Sequence, residues 1–261
     1  TAISLGVGYH LATNNLPCIY LQNSGLGNAI NPLTSITHKK VYSIPLLLLI
    51  GWRGSPKSND EPQHMVKGKI TPNILKLLGI KFIIIEKKKD FKKLSNLITF
   101  SKKNNQPVAC LFQNGIFKST LKVKLKKNNN SIKRQNFIQE FLKLIPNKSK
   151  IISTTGYTSR ELFQIRKENK ITKGKDFYMV GGMGHASSVA LGLSLNSKNQ
   201  IFCLDGDGSL IMHMGSMRTN GKYGNLKFKH VLLNNNIHES VGNQETTADG
   251  IEFKNLVKSL G

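Results

Sequence analysis

Short apolar runs alternate with segments in which apolar residues recur every three or four positions, and this alternation continues along most of the chain. Apolar runs bounded by glycine or polar residues are typical of buried strands, whereas the wider spacing is typical of helices with one apolar face. The sequence therefore predicts an α/β protein with parallel sheets flanked by helices. Strands are predicted at residues 17–21, 44–50, 81–85, 107–112, 151–153, 176–180, 201–204 and 231–233. Helices are predicted at residues 1–13, 28–36, 71–79, 91–98, 137–145, 186–193 and 253–260.

Three local signals refine the first half of this pattern. Thr71 followed by Pro72 is the pattern of an N-cap and a first-turn proline, so a helix is expected to begin there. Pro32 is likewise expected near the start of the helix that begins at Asn28, because proline is tolerated in a first turn. Residues 60–64 are expected to form a polar loop after the second strand.

The lysine- and asparagine-rich stretch from Lys118 to Arg134 has little apolar periodicity, which predicts a connection between two domains. We expect the first domain at residues 1–118, the connection at 119–136 and the second domain at 137–261. The chain begins in mid-pattern without a methionine, and its second sheet lacks a strand that should follow the last helix. The sequence is therefore expected to be a fragment that lacks both ends, with both domains incomplete.

Two strands of the second domain end in polar residues suited to an ion. Residues 201–204 lead directly into Asp205-Gly206-Asp207-Gly208-Ser209, and residues 231–233 lead into Asn234-Asn235-Asn236. A crossover helix between them would make the strands parallel, so both tips would lie at one edge of the sheet. Asp207 and Asn235 offer the hard oxygen atoms that Mg²⁺ prefers when it carries a phosphate group. Gly208 would let the backbone approach the phosphate, and Ser209 would cap the next helix; the alternative for Gly206-Asp207-Gly208 alone is a tight turn.

The composition shows a strongly basic chain and does not change the predicted fold class. Apolar residues make up 39% of the chain, enough for real cores, and the formal net charge is +24. A basic patch would favour nucleic-acid binding, but the lysines are scattered among asparagines and isoleucines along the whole chain. Cys18, Cys110 and Cys203 lie in separate apolar runs, which favours reduced core thiols over disulfides or a zinc site. Reduced thiols are typical of a cytosolic protein, so a cytoplasmic location is expected, and no apolar run approaches the ~20 residues of a membrane helix.

Gly206-Asp207-Gly208, followed by Asn234-Asn235, resembles the signature of thiamin diphosphate-dependent decarboxylases, acetolactate synthases and transketolases. Several further blocks are most similar to the phosphonopyruvate decarboxylase family, and the sulfopyruvate decarboxylases are the nearest alternative. The resemblance spans nearly the whole chain, with a pyrimidine-binding domain before the connection and a diphosphate-binding domain after it. The similar blocks are residues 23–28, 155–162, 182–187, 213–216 and 234–244.

The resemblance implies roles for individual residues. Asp207 and Asn235 would bind Mg²⁺ together with the backbone carbonyl of Ile237. The remaining roles concern the cofactor: Gly208, Ser209 and Thr155 would contact its diphosphate, the Gly181 carbonyl would accept a hydrogen bond from its aminopyrimidine, and Met183 would be the apolar wedge that bends it.

The activity implied by the resemblance is decarboxylation of 3-phosphonopyruvate to phosphonoacetaldehyde and carbon dioxide, in phosphonate biosynthesis. Sulfopyruvate or another 2-oxo acid is the alternative substrate, and a basic nucleic-acid-binding protein is the distant alternative. These enzymes hold their cofactor between subunits, so at least a homodimer is implied. The glutamate that activates the cofactor would precede Thr1, so the fragment is expected to be inactive.

Several further residues are candidates for a role in the site. His64 and His238, both expected in loops, are the candidate acid–base residues, whereas His213 is expected to be a packing residue on a helix. Asn236 and Asn243 stand where the family pattern has glycine, a change that asparagine tolerates by adopting left-handed backbone. The candidates for binding a phosphonate through a guanidinium fork are Arg53, Arg160 and Arg218.

Overall fold

The computed structural model describes residues 1–56, 58–117, 132–170 and 176–261. The chain divides into two compact units, Thr1–Lys122 and Val123–Gly261. Most of the predicted connection, residues 119–136, lies outside the described residues. Each unit contains a four-stranded parallel sheet flanked by helices, so the predicted α/β class is confirmed.

The first unit is built around a sheet with the strand order β1-β2-β4-β3. All five residues of β4 are buried, as expected for a central parallel strand covered on both faces. The strands are β1 (Cys18–Gln22), β2 (Leu47–Gly51), β3 (Lys81–Ile85) and β4 (Val108–Phe112). The helices are α1 (Ala2–Thr13), α2 (Leu26–Pro32), α3 (Pro62–Leu77) and α4 (Phe91–Asn104), with a π-helical turn at Leu33–Thr37 and 3-10 turns at Asn23–Gly25 and Lys88–Asp90.

The second unit has the strand order β6-β5-β7-β8 and a separate antiparallel pair, β9 with β10. Leu204 of β7 packs with Ile151 of β5 and Ile138 beneath one face of the sheet, while Cys203 faces α7 on the other. The strands are β5 (Lys150–Ser153), β6 (Phe177–Tyr178), β7 (Ile201–Gly206), β8 (Phe228–Leu233), β9 (Ile237–His238) and β10 (Gln244–Glu245). The helices are α5 (Arg134–Leu144), α6 (Tyr157–Glu168), α7 (Ala186–Asn196), α8 (Asp207–Met212), α9 (Ser216–Tyr223) and α10 (Phe253–Leu260).

Two helix starts differ from the sequence prediction. Helix α3 begins at Pro62, so the predicted start at Thr71 is wrong, and His64 lies in the first turn of a helix instead of a loop. Pro62 occupies the first-turn position that the sequence pattern assigned to Pro72. Helix α2 begins at Leu26, and Pro32 is its last residue.

Pro72 lies inside α3, where it has no N–H to donate to the carbonyl of Gly68 one turn earlier. The buried indole of Trp52 supplies the missing donor, because its Nε1 donates to Gly68 O at 2.9 Å. Trp52 directly follows β2, so this bond fastens the end of the strand to the helix. Trp52 is only 5% exposed, so it packs in the core of the first unit in addition to making this hydrogen bond.

Replacement of Trp52 by phenylalanine is expected to lower the free energy of unfolding by about 1–3 kcal/mol, because Gly68 O would be left buried without a donor. In a Pro72→Ala background, the introduced alanine could supply its own N–H to Gly68 O, so the same replacement should cost less. Urea unfolding of the four proteins in this cycle measures the difference. Equal costs in both backgrounds would show that the indole hydrogen bond does not compensate for Pro72.

The cysteines differ in burial. Cys110 and Cys203 are buried free thiols, as predicted, and burial raises the pKa of Cys110 to about 11. Cys18 is exposed, so its assignment to the core is wrong; it lies on β1, which has a neighbouring strand on only one side among the described residues. Within the described part of the chain, no helix is long and apolar enough to cross a bilayer.

Candidate functional site

The four strands of the second sheet end at one carboxyl edge, where β7 and β8 lead directly into polar residues. Gly206 of β7 is in register with Leu233 of β8, so Asp207 and Asn234 are the next residues of neighbouring parallel strands. The prediction that both polar tips share one edge is therefore confirmed. The chain runs from β5 to β6 on one side and then to β7 on the other, which makes the β5/β7 boundary a topological switch point of the kind where α/β sheets bind ligands.

Asp207 is the first residue of α8 and its side chain is almost fully buried, with 2% of the residue exposed. Its Oδ2 accepts a hydrogen bond from Thr246 Oγ1, and Thr246 is itself buried. The backbone N–H of Thr246 donates to Asn236 O at 2.8 Å. Thr246 thereby joins the tip of β7 to the asparagine loop after β8. Sequence reasoning did not find this residue, since it belongs to none of the apolar runs or family-like blocks.

Asn235 lies in the loop between β8 and β9. Its Oδ1 accepts a hydrogen bond from the N–H of Ile237 at 3.2 Å, and its Nδ2 donates to Glu239 Oε2 at 3.5 Å. Asn236 and Asn243 both adopt left-handed backbone with φ of 59°, which confirms the prediction that asparagine fills these glycine-like positions. The loop thus holds the Asn235 amide at the carboxyl edge of the sheet, at the end of the strand next to the one that leads into Asp207.

Gly208 has the ring of His238 directly against its Cα. A Cβ at this position would overlap the ring and would lie 3.0 Å from Cγ2 of Thr246. His238 itself lies on β9 instead of in a loop. The close approach explains why residue 208 has to be glycine here.

Ser209 is buried and holds three strand tips together. Its Oγ accepts hydrogen bonds from Thr154 Oγ1 and from the N–H of Gly184, both at 3.0 Å. The prediction that Ser209 caps the following helix is wrong, because α8 already begins at Asp207 and its N-cap is Gly206. Ser209 is instead the residue that connects the loops after β5, β6 and β7 at the switch point.

The remaining predicted cofactor residues lie on the same edge. Thr155 follows β5, and its Oγ1 donates to Val180 O at 2.9 Å. Gly181 and Met183 are half-buried in the turn between β6 and α7. His213 follows the end of α8 instead of lying on a helix; its Nε2 is buried without a hydrogen bond to the described residues, and its ring lies 4.4 Å from that of His185.

Arg53 and His64 form a separate polar group in the first unit. Nε of Arg53 donates to Asp60 Oδ2 at 2.6 Å, and Nη2 donates to Oδ1, which holds the pKa of the Asp60 carboxyl well below its usual range. His64 Nδ1 lies 3.4 Å from Ser24 Oγ. Burial lowers the pKa of His64, and the nearby charge of Arg53 lowers it further. His64 is therefore a neutral imidazole near pH 7.

The two other candidate arginines have contacts of their own. Arg218 Nη1 donates to Leu260 O at 2.9 Å and so holds the end of α10. The guanidinium of Arg160 lies 5.9 Å from the ring centre of Tyr157. The geometry therefore gives Arg218 a structural role, while a phosphonate-binding role of Arg53 or Arg160 stays a prediction.

Three side chains of metal-ligand type also meet on β7 and β8. Ligand atoms of Cys203, Asp205 and His230 lie within 4.8 Å of one another. His230 Nε2 lies 3.3 Å from Asp205 Oδ2, and the N–H of Gly206 donates to Asp205 Oδ1. Burial raises the pKa of the Cys203 thiol well above its usual value. The group is therefore a buried aspartate–histidine pair beside a protonated thiol.

Comparison with known proteins identifies the family. Residues 152–258 match the family model described as thiamine pyrophosphate enzyme, C-terminal TPP binding domain. Phosphonopyruvate decarboxylase of Streptomyces viridochromogenes is 31% identical over 265 residues, which cover 94% of this chain and 64% of that protein. The chain belongs to the thiamin diphosphate-dependent decarboxylase superfamily. It spans less than two thirds of the length of this relative.

Two further proteins are similar to this chain of the superfamily. Sulfopyruvate decarboxylase of Methanosarcina acetivorans is 28% identical over 267 residues, covering 94% of this chain and 67% of that protein. The X-ray structure of a thiamin diphosphate-dependent enzyme from Mycobacterium smegmatis aligns with a TM-score of 0.42 at 11% identity, covering 99% of this chain and 58% of that one.

Thiamin diphosphate is the cofactor of this superfamily, and Mg²⁺ is its usual companion. The residues at the sheet edge fit this pair chemically. A buried carboxylate, that of Asp207, and an amide oxygen, that of Asn235, are the hard ligands that Mg²⁺ takes while keeping phosphate oxygens in its shell. Thr246 adds the outer hydrogen bond that commonly orients a ligating carboxylate.

Replacement of Thr246 by valine is expected to weaken Mg²⁺-dependent cofactor binding by about 10–100-fold, the usual effect of losing an outer partner of a metal ligand. Valine has nearly the same shape but cannot donate to Asp207. Thr246→Ser keeps the hydroxyl and should bind as the wild type does. Both variants are measured by the Mg²⁺ concentration at half-maximal binding of a fixed amount of thiamin diphosphate. Equal values for the valine and serine variants would contradict the role given to the hydroxyl.

Proposed function

We propose that this chain is part of a Mg²⁺- and thiamin diphosphate-dependent decarboxylase acting on 3-phosphonopyruvate and releasing phosphonoacetaldehyde and carbon dioxide. The observation that carries the proposal is that Asp207 and Asn235 follow β7 and β8, which are neighbouring parallel strands. The family model covers both residues, and the phosphonopyruvate enzyme of S. viridochromogenes matches 94% of the chain. Sulfopyruvate is the alternative substrate, supported by the M. acetivorans relative.

Within this proposal, residues 1–118 are the pyrimidine-binding domain, residues 119–136 the connection and residues 137–261 the diphosphate-binding domain. Asp207, Asn235 and the carbonyl of Ile237 hold Mg²⁺. The cofactor contacts are Thr155, Gly208 and Ser209 for the diphosphate, Gly181 for the aminopyrimidine and Met183 as the wedge between the rings.

When bound, thiamin diphosphate supplies a carbon nucleophile and an electron sink for the bond that releases carbon dioxide. The residues of this chain position the cofactor and neutralise its charge. Asp207 and Asn235 fix the cation that balances the diphosphate charge. His238, packed on Gly208, and His64, kept neutral by burial, are the proposed proton-transfer groups.

We propose self-association as part of the same function. Helix α1 has no lysine, arginine, aspartate or glutamate, although the chain contains 38 lysines and arginines, and Leu5 and Leu11 on it are 69% and 72% exposed. An uncharged helix with exposed leucines suits contact with a second copy of the chain. Sedimentation of the purified protein should therefore give a dimer or a larger assembly.

The deciding experiment is calorimetric titration of the purified chain with thiamin diphosphate, with and without Mg²⁺. Binding that requires Mg²⁺ supports the proposal, and comparing carbon dioxide release from phosphonopyruvate, sulfopyruvate and pyruvate in the complete protein then identifies the substrate. A chain that ignores the cofactor but binds DNA with steep salt dependence would instead be a basic nucleic-acid-binding protein.

A further inference from the structure

Arg134, Glu161 and Glu239 form an ion-pair network, and Glu239 also contacts Asn235. Arg134, the first residue of α5, donates from Nε and Nη2 to the two carboxylate oxygens of Glu161 at 3.0 and 2.7 Å. Its Nη1 donates to Glu239 Oε2 at 2.8 Å. The side chain of Arg134 is 19% exposed and that of Glu239 is 40% exposed, so the arginine is the better shielded end of this network.

The same oxygen of Glu239 that Arg134 binds also faces Asn235. Nδ2 of Asn235 lies 3.5 Å from Glu239 Oε2, so the amide nitrogen is directed toward the carboxylate. An amide has its nitrogen and oxygen on opposite branches, and fixing the nitrogen therefore fixes where Oδ1 lies. Ser240, the next residue, packs its Oγ against Gly156 at the start of α6, which anchors the segment a second time.

We propose that Glu239 is a positioning residue of the metal site, which, held by Arg134, orients the Asn235 amide so that Oδ1 is presented to the cation. The inference rests on the proposed function, because it assigns a partner to one of the proposed ligands. Without Glu239, only the N–H of Ile237, which donates to Oδ1 at 3.2 Å, opposes a turn of the amide that would present its N–H₂ group, and that group cannot coordinate a cation. The network also connects the beginning of α5 to the turn between β9 and β10, in which Glu239 lies.

The test compares two matched truncations in the full 261-residue chain. Glu239→Ala and Glu161→Ala each remove one carboxylate partner of Arg134, but only the first removes the partner of Asn235. Mn²⁺ binding in the presence of thiamin diphosphate, followed by electron paramagnetic resonance of the free ion, should weaken about 10–100-fold in Glu239→Ala. Glu161→Ala should bind Mn²⁺ as the wild type does, and equal losses in both variants would overturn the proposal. Glu239→Gln, a milder change, should fall between Glu239→Ala and the wild type.

A second readout needs neither metal nor cofactor. The side-chain amide signals of Asn235 in a ¹⁵N–¹H spectrum, assigned with Asn235→Ala, should shift in Glu239→Ala and stay in place in Glu161→Ala. Unchanged signals in Glu239→Ala would overturn the proposal. A wild-type chain that binds no Mn²⁺ with thiamin diphosphate would reject the proposed function, whereas the amide signals would still decide whether Glu239 orients Asn235.

Discussion

Replacement of Asp207 by asparagine is expected to weaken Mg²⁺-dependent binding of thiamin diphosphate by at least about 100-fold, beyond the usual effect of losing an outer partner. Asparagine keeps the size of the side chain, and its Oδ1 can still accept the hydrogen bond from Thr246. What is lost is the negative charge, on which a hard divalent cation depends. Because Asp207 is buried and fixed at a strand tip, no flexible neighbour can readily take its place.

The matched control is Asp249→Asn, which changes the net charge equally at an exposed position shortly after Thr246. Calorimetry with Mg²⁺ titrated at fixed thiamin diphosphate should separate the two variants, with Asp249→Asn close to the wild type. Thermal unfolding of the metal-free proteins should show that both variants are folded. Equal binding by Asp207→Asn and the wild type would remove Asp207 from the metal site.

The positions of the two polar strand tips could be predicted from the sequence because each tip directly follows an apolar run. Asp207 comes after β7 and Asn235 after β8, and a crossover of ordinary length can join these strands only in parallel. Two asparagines in left-handed backbone, Asn236 and Asn243, could be anticipated because few other residues tolerate it. Local patterns of this kind carry their structural meaning within a few residues.

The side-chain contacts that hold these strand tips in place could not be predicted from local sequence patterns. Thr246 meets Asp207 because the β9–β10 pair folds back over the strand tip, and Arg134 meets Glu239 across a long stretch of sequence. The predicted start of α3 at Thr71 is wrong because Trp52 provides the donor that lets Pro72 lie inside the helix, and the observed start at Pro62 falls in the stretch predicted as a polar loop. Such pairings depend on tertiary packing, which propensity and periodicity do not encode.

Among the substitutions proposed for this chain, replacement of Gly68 by alanine is expected to cause the largest decrease in the free energy of unfolding. A Cβ at Gly68 would overlap the carbonyl carbon and oxygen of Gly54, in the turn that follows Arg53. Overpacking usually costs about 1–3 kcal/mol, and here the cost should reach or exceed that range because both partners are backbone and cannot rotate away. Relief would require α3 to move away from the turn, which would break the Trp52 bond to Gly68 O and displace His64 from Arg53.

The control is Gly8→Ala on α1, a helical glycine whose added Cβ would meet no atom within 4 Å. That change should stabilise the chain by about 0.5–1 kcal/mol, since alanine loses less backbone entropy in a helix. Urea unfolding measures both variants against the wild type, and the two should move in opposite directions. If Gly68→Ala matched the wild type in stability, α3 would not be held against the Arg53 turn by backbone contact, and the positions of Arg53 and His64 would have to depend on their side-chain bonds alone.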